Sequence, residues 1–291
     1  MKKGIVAASF LLVGLTVVIY FFNEYERHFV IHDHKQRSFT PLFYSSPETE
    51  NVDRVEEVRD YYRNASLSSP LEWGENVSGV KNRLDTDEDV IALTFDACGG
   101  PFGSSYDHSL ITFLREHEIP ATLFINLRWL DENEEIFLEL AEDPLFRIEN
   151  HGSEHLPLSV NGNGAWGING TASPEEVIDE VMLNQERILE MTGQAPRYFR
   201  SGTAHYDEKA VEIVENLGLT VVNYDVLGDA GATFSASGVE EALLSSRAGS
   251  IPLLHMNQPS SGTAEGVKQA VPQLQEAGFT FVHLDQYELS E

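Results

Sequence analysis

Short apolar runs alternate with amphipathic segments over most of this chain. Val90–Phe95, Ala121–Asn126, Phe146–Asn150, Arg197–Arg200, Leu219–Asp225, Ile251–His255 and Phe279–Leu284 are rich in β-branched and aromatic residues. That is the pattern of strands buried on both faces of a parallel sheet. Segments of helical period lie between them, at about Asp107–Glu118, Asn133–Glu142, Asp207–Leu217, Val239–Ala248 and Thr263–Ala277. The clearest helix opens on Ser173-Pro174-Glu175-Glu176, which is an N-cap, a proline in the first turn and a capping-box glutamate, and it stops at Gly193. Alternation of this kind predicts an α/β barrel or an open doubly wound sheet, and both collect their chemistry at the carboxyl ends of strands.

The amino terminus follows another pattern. Lys2 and Lys3 precede an uncharged run from Gly4 to Phe22, long enough as a helix to reach roughly 28 Å. Residues 1–22 therefore read as one uncleaved N-terminal transmembrane helix, with the lysines in the cytoplasm and the rest outside. The expected location is the cell membrane, single-pass, with an extracytoplasmic domain that is secreted if the segment is cleaved. Residues 23–70 are polar and read as a stalk with one short helix at 52–64, and residues 71–291 as the functional domain.

Composition narrows the functions. With 19 Lys+Arg against 47 Asp+Glu the net charge is −28, which repels nucleic acid phosphates. Residues 1–70 hold 8 basic and 9 acidic residues and residues 71–291 hold 11 and 38, so nearly all the charge falls on the domain. A neutral or cationic substrate suits such a surface better than a polyanion. The single cysteine, Cys98, forms no internal disulfide.

Five strand ends carry polar residues of catalytic type: Asp96-Ala97-Cys98-Gly99-Gly100, His151-Gly152-Ser153-Glu154-His155, Arg200-Ser201-Gly202-Thr203, Asp229, and His255. Their order and flanks resemble the polysaccharide deacetylases of the NodB-homology type, carbohydrate esterase family 4. LTFDACGG resembles the family's T-F-D-D-G and ENHGSEHLPLS its N-H-[ST]-x-x-H-x-x-L. YFRSGTAHYD resembles F-R-P-P-Y-G, VLGDA the Asp-Trp motif, and IPLLHMN the closing I-x-L-H. The resemblance covers about Leu71 to the end.

It implies a distorted (β/α) barrel of the NodB-homology type and removal of acetyl groups from a polysaccharide substrate, by a chain expected to be monomeric. By resemblance, Asp96 is the general base, Arg200 its partner, His255 the general acid and Asp229 the carboxylate that orients it. His151 and His155 are implied metal ligands for a divalent cation, and imidazole with carboxylate suits zinc. Ala97 stands where the family has its second aspartate, a metal ligand. Water, Asp96 itself or Cys98 then completes the site, or the site holds no metal. Cys98 also reads as a small residue filling a tight turn, or as a nucleophile. Thr203 is expected at the oxyanion, Tyr206 as an aromatic wall replacing one lost from the third motif, and Trp166, on the glycine-rich insert 161–171, as a platform for a sugar ring.

Overall fold

The computed structural model describes residues 47–291. The apolar segment 1–22 and the stalk as far as residue 46 lie outside the described residues. Among those described, no helix is long and apolar enough to cross a membrane.

Seven parallel strands form the central sheet: β1 Thr94–Ala97, β2 Ala121–Ile125, β3 Phe146–Asn150, β4 Tyr198–Phe199, β5 Thr220–Val221, β6 Val226–Leu227 and β7 Pro252–His255. They run β6-β7-β1-β2-β3-β4-β5 across the sheet. The sheet curls into a half-barrel. It is left open between β5 and β6, and beside β5 the Lys81 amide donates to the Val221 carbonyl at 2.9 Å. Thr94–Ala97 and Ala121–Ile125 are buried along their whole length, as apolar runs covered on both faces should be.

The expected run Val90–Phe95 is split. Val90–Ile91 pairs with Thr280–Phe281 in a separate two-stranded ribbon, and only from Thr94 does the chain join the sheet. The strand expected at Phe279–Leu284 is therefore a ribbon rather than an eighth stave.

Helices α1 Pro47–Asn64, α2 His108–Glu116, α3 Leu127–Glu132, α4 Glu134–Glu142, α5 Pro174–Thr192, α6 Glu208–Asn216, α7 Ala236–Leu244 and α8 Thr263–Glu276 cover the sheet. The signals expected for α5 are present: the Ser173 side chain accepts from the Glu176 amide and Gly193 closes the helix with φ 69°. Helix α7 begins earlier than its apolar period suggests, because the Ser235 hydroxyl caps it by accepting from the Gly238 amide.

The stalk boundary at residue 70 is corrected. The compact unit begins at Pro47, because Val55, Val58 and Tyr62 on α1 are buried in one cluster with residues of α5 and α6 such as Val177, Val181 and Val214. Arg59 adds ion pairs to Glu175 and to Asp179, the latter at 2.6 Å. Each buried aliphatic or aromatic side chain of this stripe contributes about 1.5–3 kcal/mol, whereas the half-exposed ion pairs contribute at most about 1 kcal/mol. Three apolar side chains in a segment otherwise polar are thus enough to dock the helix.

Candidate active site

The carboxyl ends of β1, β3, β4, β6 and β7 converge on one side of the sheet. Asp96 lies in the last turn of β1, 3% exposed, and faces Arg200, which follows β4 and is fully buried. Arg200 Nη1 donates to Asp96 Oδ1 at 2.8 Å and to Thr94 Oγ1 at 2.9 Å. Its Nη2 and Nε donate to the carbonyls of Asn223 and Val222, and the guanidinium stacks 4.2 Å from the centre of the Phe124 ring. Burial alone raises the Asp96 carboxyl, but Arg200, then His151 and His255, outweigh it and hold the group below the usual carboxylate range.

On the far side, the Asp229 carboxylate accepts from His255 Nδ1 at 2.8 Å, from the His255 amide at 2.8 Å and from Thr263 Oγ1 at 2.8 Å. Burial pushes the His255 imidazole down, yet Asp229 and then Cys98 carry it well above its ordinary value. The same pairing keeps Asp229 below its ordinary value against the penalty of burial. With Nδ1 committed to Asp229, Nε2 is the atom through which His255 exchanges a proton.

Between these pairs stand the two other histidines. His151 Nδ1 donates to the Arg200 carbonyl at 2.9 Å, so in the neutral ring Nε2 carries the free lone pair. That atom lies 3.6 Å from Asp96 Oδ2 and 3.9 Å from Cys98 Sγ. His155 meets His151 edge to face, and its Nε2 is buried with no hydrogen-bond partner. One ligand atom each from Cys98, His151 and His155 all fall within 4.8 Å of one another. A buried orphaned imidazole nitrogen, a second with its lone pair free and a thiol form a donor set that fits a transition metal. Asp96, expected among the ligands, is not one of these three, although its Oδ2, the oxygen that Arg200 leaves free, lies 3.6 Å from His151 Nε2.

Residues 83–222 match the family model for polysaccharide deacetylase. That stretch is a polysaccharide deacetylase domain. It is thereby a domain of a class of hydrolases acting on carbon–nitrogen bonds other than peptide bonds. An uncharacterised 30.6 kDa protein of Geobacillus stearothermophilus is 24% identical over 226 residues, which is 74% of this chain and 77% of that protein. PdaA of Bacillus subtilis, a family 4 carbohydrate esterase, shares the fold with a TM-score of 0.60 at 19% identity, covering 88% of this chain and 96% of that one. A family 4 pseudoenzyme from Bacillus anthracis superposes with a TM-score of 0.60 at 21% identity, covering 73% of this chain and 70% of its own.

The deacetylase domain places the three expected substrate residues differently. Tyr206 is fully buried: its hydroxyl donates to Asn223 Oδ1 at 3.0 Å and accepts from the Ser201 amide at 2.8 Å. It cannot serve as an aromatic wall; it braces the segment after Arg200, a role its polar tip makes possible in the core. Thr203 remains beside the histidines, in the turn after Gly202, with a buried hydroxyl that has no partner. Trp166 is 78% exposed and meets His205 edge to face at 5.6 Å.

Gly202 explains one departure of the third motif. A Cβ there would lie 2.4 Å from the His155 backbone carbon and ring, so only glycine lets this turn close against His155.

Several supporting residues carry no motif. Glu180 on α5 is buried and accepts from Ser153 Oγ and from the amides of Glu154 and Leu156, which fixes the loop between the two histidines. Asn126 Nδ2 donates to the carbonyls of His151 and Gly152. A glutamate on the apolar face of α5, between Val177 and Val181, is the signal that betrays Glu180. Thr263, where the sequence expects a helix to open, is the first residue of α8 and its hydroxyl holds Asp229.

Proposed function

We propose that this domain hydrolyses the N-acetyl group of an amino-sugar polysaccharide. The observation that carries the reading is the pair of oppositely equipped carboxylates on either side of the His151–His155 couple. Asp96, kept ionised by Arg200, accepts the proton of the attacking water. His255, kept protonated and oriented by Asp229, donates a proton through Nε2 to the departing amine. Amide cleavage demands that donation, since an unprotonated amide anion is a very poor leaving group. The turn at Thr203 supplies donors toward the developing oxyanion. His151 and His155 are two of the residues that would hold a divalent cation, which when bound polarises the acetyl group as a Lewis acid.

The polymer is read from the surroundings. Trp166 stands exposed on a loop that packs toward the third motif, and an aromatic face matches the apolar face of a pyranose ring. The acidic surface favours a neutral glycan and its cationic product. An extracytoplasmic setting, with the apolar segment 4–22 as membrane anchor, agrees with such a substrate, and detection of the full chain in washed membranes tests it.

Release of acetate from chitin oligomers, peptidoglycan or poly-N-acetylglucosamine by the full-length chain tests the activity. Trp166→Ala is expected to raise KM for the polymer about fivefold with kcat unchanged, a loss of roughly 1 kcal/mol of uniform binding. The pseudoenzyme relative from Bacillus anthracis makes glycan binding without turnover the second reading. Absence of acetate at any of these polymers, with zinc, manganese or cobalt supplied, favours it.

A further inference from the structure

Strand geometry brings a residue to the histidines that the family motif does not name. Side chains alternate across a strand, so Asp96 and Cys98 share a side while Ala97 between them turns away. Ala97 is fully buried in the apolar core with Ile125 and Met256, and its methyl group offers no ligand atom. The chain then turns back at Gly99 and Gly100, both with positive φ. A Cβ on Gly99 would lie 2.5 Å from the Trp129 amide, and Arg128 Nη2 donates to the Cys98 carbonyl at 3.2 Å. The backbone is thus pinned where Cys98 Sγ points at His151 Nε2.

We infer that Cys98 is the third protein ligand of the metal site, beside His151 and His155, and that its thiolate selects zinc or another thiophilic ion over manganese or magnesium. The inference rests on the deacetylase reading and concerns which atoms hold the cation.

Distances support it. Zinc bonds of about 2.3 Å to sulfur and 2.0–2.1 Å to nitrogen, at tetrahedral angles, set sulfur and nitrogen roughly 3.6 Å apart. Cys98 Sγ and His151 Nε2 are 3.9 Å apart, so a side-chain adjustment of a few tenths of an ångström completes the contact. His155 Nε2, buried and without a partner, is the third corner. At 3.9 Å the thiol's contact to His151 is a long one. The assignment also explains how Asp96 stays with Arg200, because a sulfur ligand relieves it of the metal. Three protein ligands leave the cation an open position.

The test is cobalt substitution of the full-length chain, read by absorbance and by titration rather than by turnover. The wild type is expected to bind one Co(II) with a sulfur-to-cobalt charge-transfer band in the near ultraviolet. Cys98→Ala should lose the band and bind cobalt more than about 100-fold more weakly, beyond the 10–100-fold that loss of an outer partner costs. Cys98→Asp should keep stoichiometric binding without the band, which shows the variant is folded and the position ligating. Zinc should also protect Cys98 from iodoacetamide in the wild type, with protection lost on chelation.

Cobalt bound without a charge-transfer band, or bound equally tightly by Cys98→Ala, overturns the inference and leaves the deacetylase reading intact. Loss of acetate release with the band present does the reverse.

Discussion

Two buried carboxylates flank this site, each paired with a cation, and the pairs do opposite work. On the side of β1 and β4, Asp96 faces a guanidinium whose nitrogens are all engaged, two of them with backbone carbonyls. Arginine does not give up its proton, so this pair has one function, to keep a carboxylate ionised and ready to accept. On the side of β6 and β7, Asp229 faces an imidazole. Its partner does titrate, so the carboxylate raises the affinity of His255 for a proton that can still be passed on. In the proposed mechanism, fixed charge against exchangeable charge is what separates base from acid.

Arg200→Met attacks the fixed side most severely. It leaves the Asp96 charge buried without compensation, and a loss of about 3–5 kcal/mol in urea unfolding is expected together with loss of acetate release. Asp96→Asn removes the proton acceptor, so kcat should fall by about 10²–10⁴, and the buried Arg200 charge left without its carboxylate should cost stability as well. On the exchangeable side, Asp229→Asn leaves an acceptor for His255 but removes the charge, and a fall in kcat of about 10²-fold is expected. Thr263→Val, which deletes one of the hydrogen bonds to Asp229, should cost about 1 kcal/mol, near fivefold in kcat/KM. Comparable losses from Asp96→Asn and Thr263→Val would mean that the site works only through its packing.

The legible parts of the molecule were those in which local pattern and global role coincide. Strands such as Ala121–Ile125 are buried on both faces, so their apolar runs stand out, and the polar residue ending each run marks the reactive edge. Asp96, His151, Arg200, Asp229 and His255 are marked in that way, and the fold brings them to one side of the sheet. The separate ribbon is not so marked, because the split after Ile91 depends on pairing with Thr280–Phe281, nearly two hundred residues away. The helix at 52–64 is expected, but its docking onto the domain is hidden by its polar composition, since three buried side chains suffice for it. Tyr206 misled because an amphipathic side chain looks the same whether its hydroxyl meets solvent or Asn223. Cys98 needed the turn at Gly99 and Gly100, whose direction no motif states.

The account stands most directly on the pH dependence of kcat/KM for acetate release, measured for the wild type and Asp229→Asn. Asp96 must be ionised to accept a proton, and its pKa is lowered, so activity should rise through an acid limb below the usual carboxylate range. His255 must be protonated to donate, and its pKa is raised, so activity should persist through neutral pH and fall only on an alkaline limb above the ordinary imidazole value. Removing the Asp229 charge removes the larger part of what raises His255, so in Asp229→Asn the alkaline limb should move down toward neutrality while the acid limb stays. An alkaline limb unmoved by Asp229→Asn, or an acid limb that moves with it, would contradict the division of the site into base and acid.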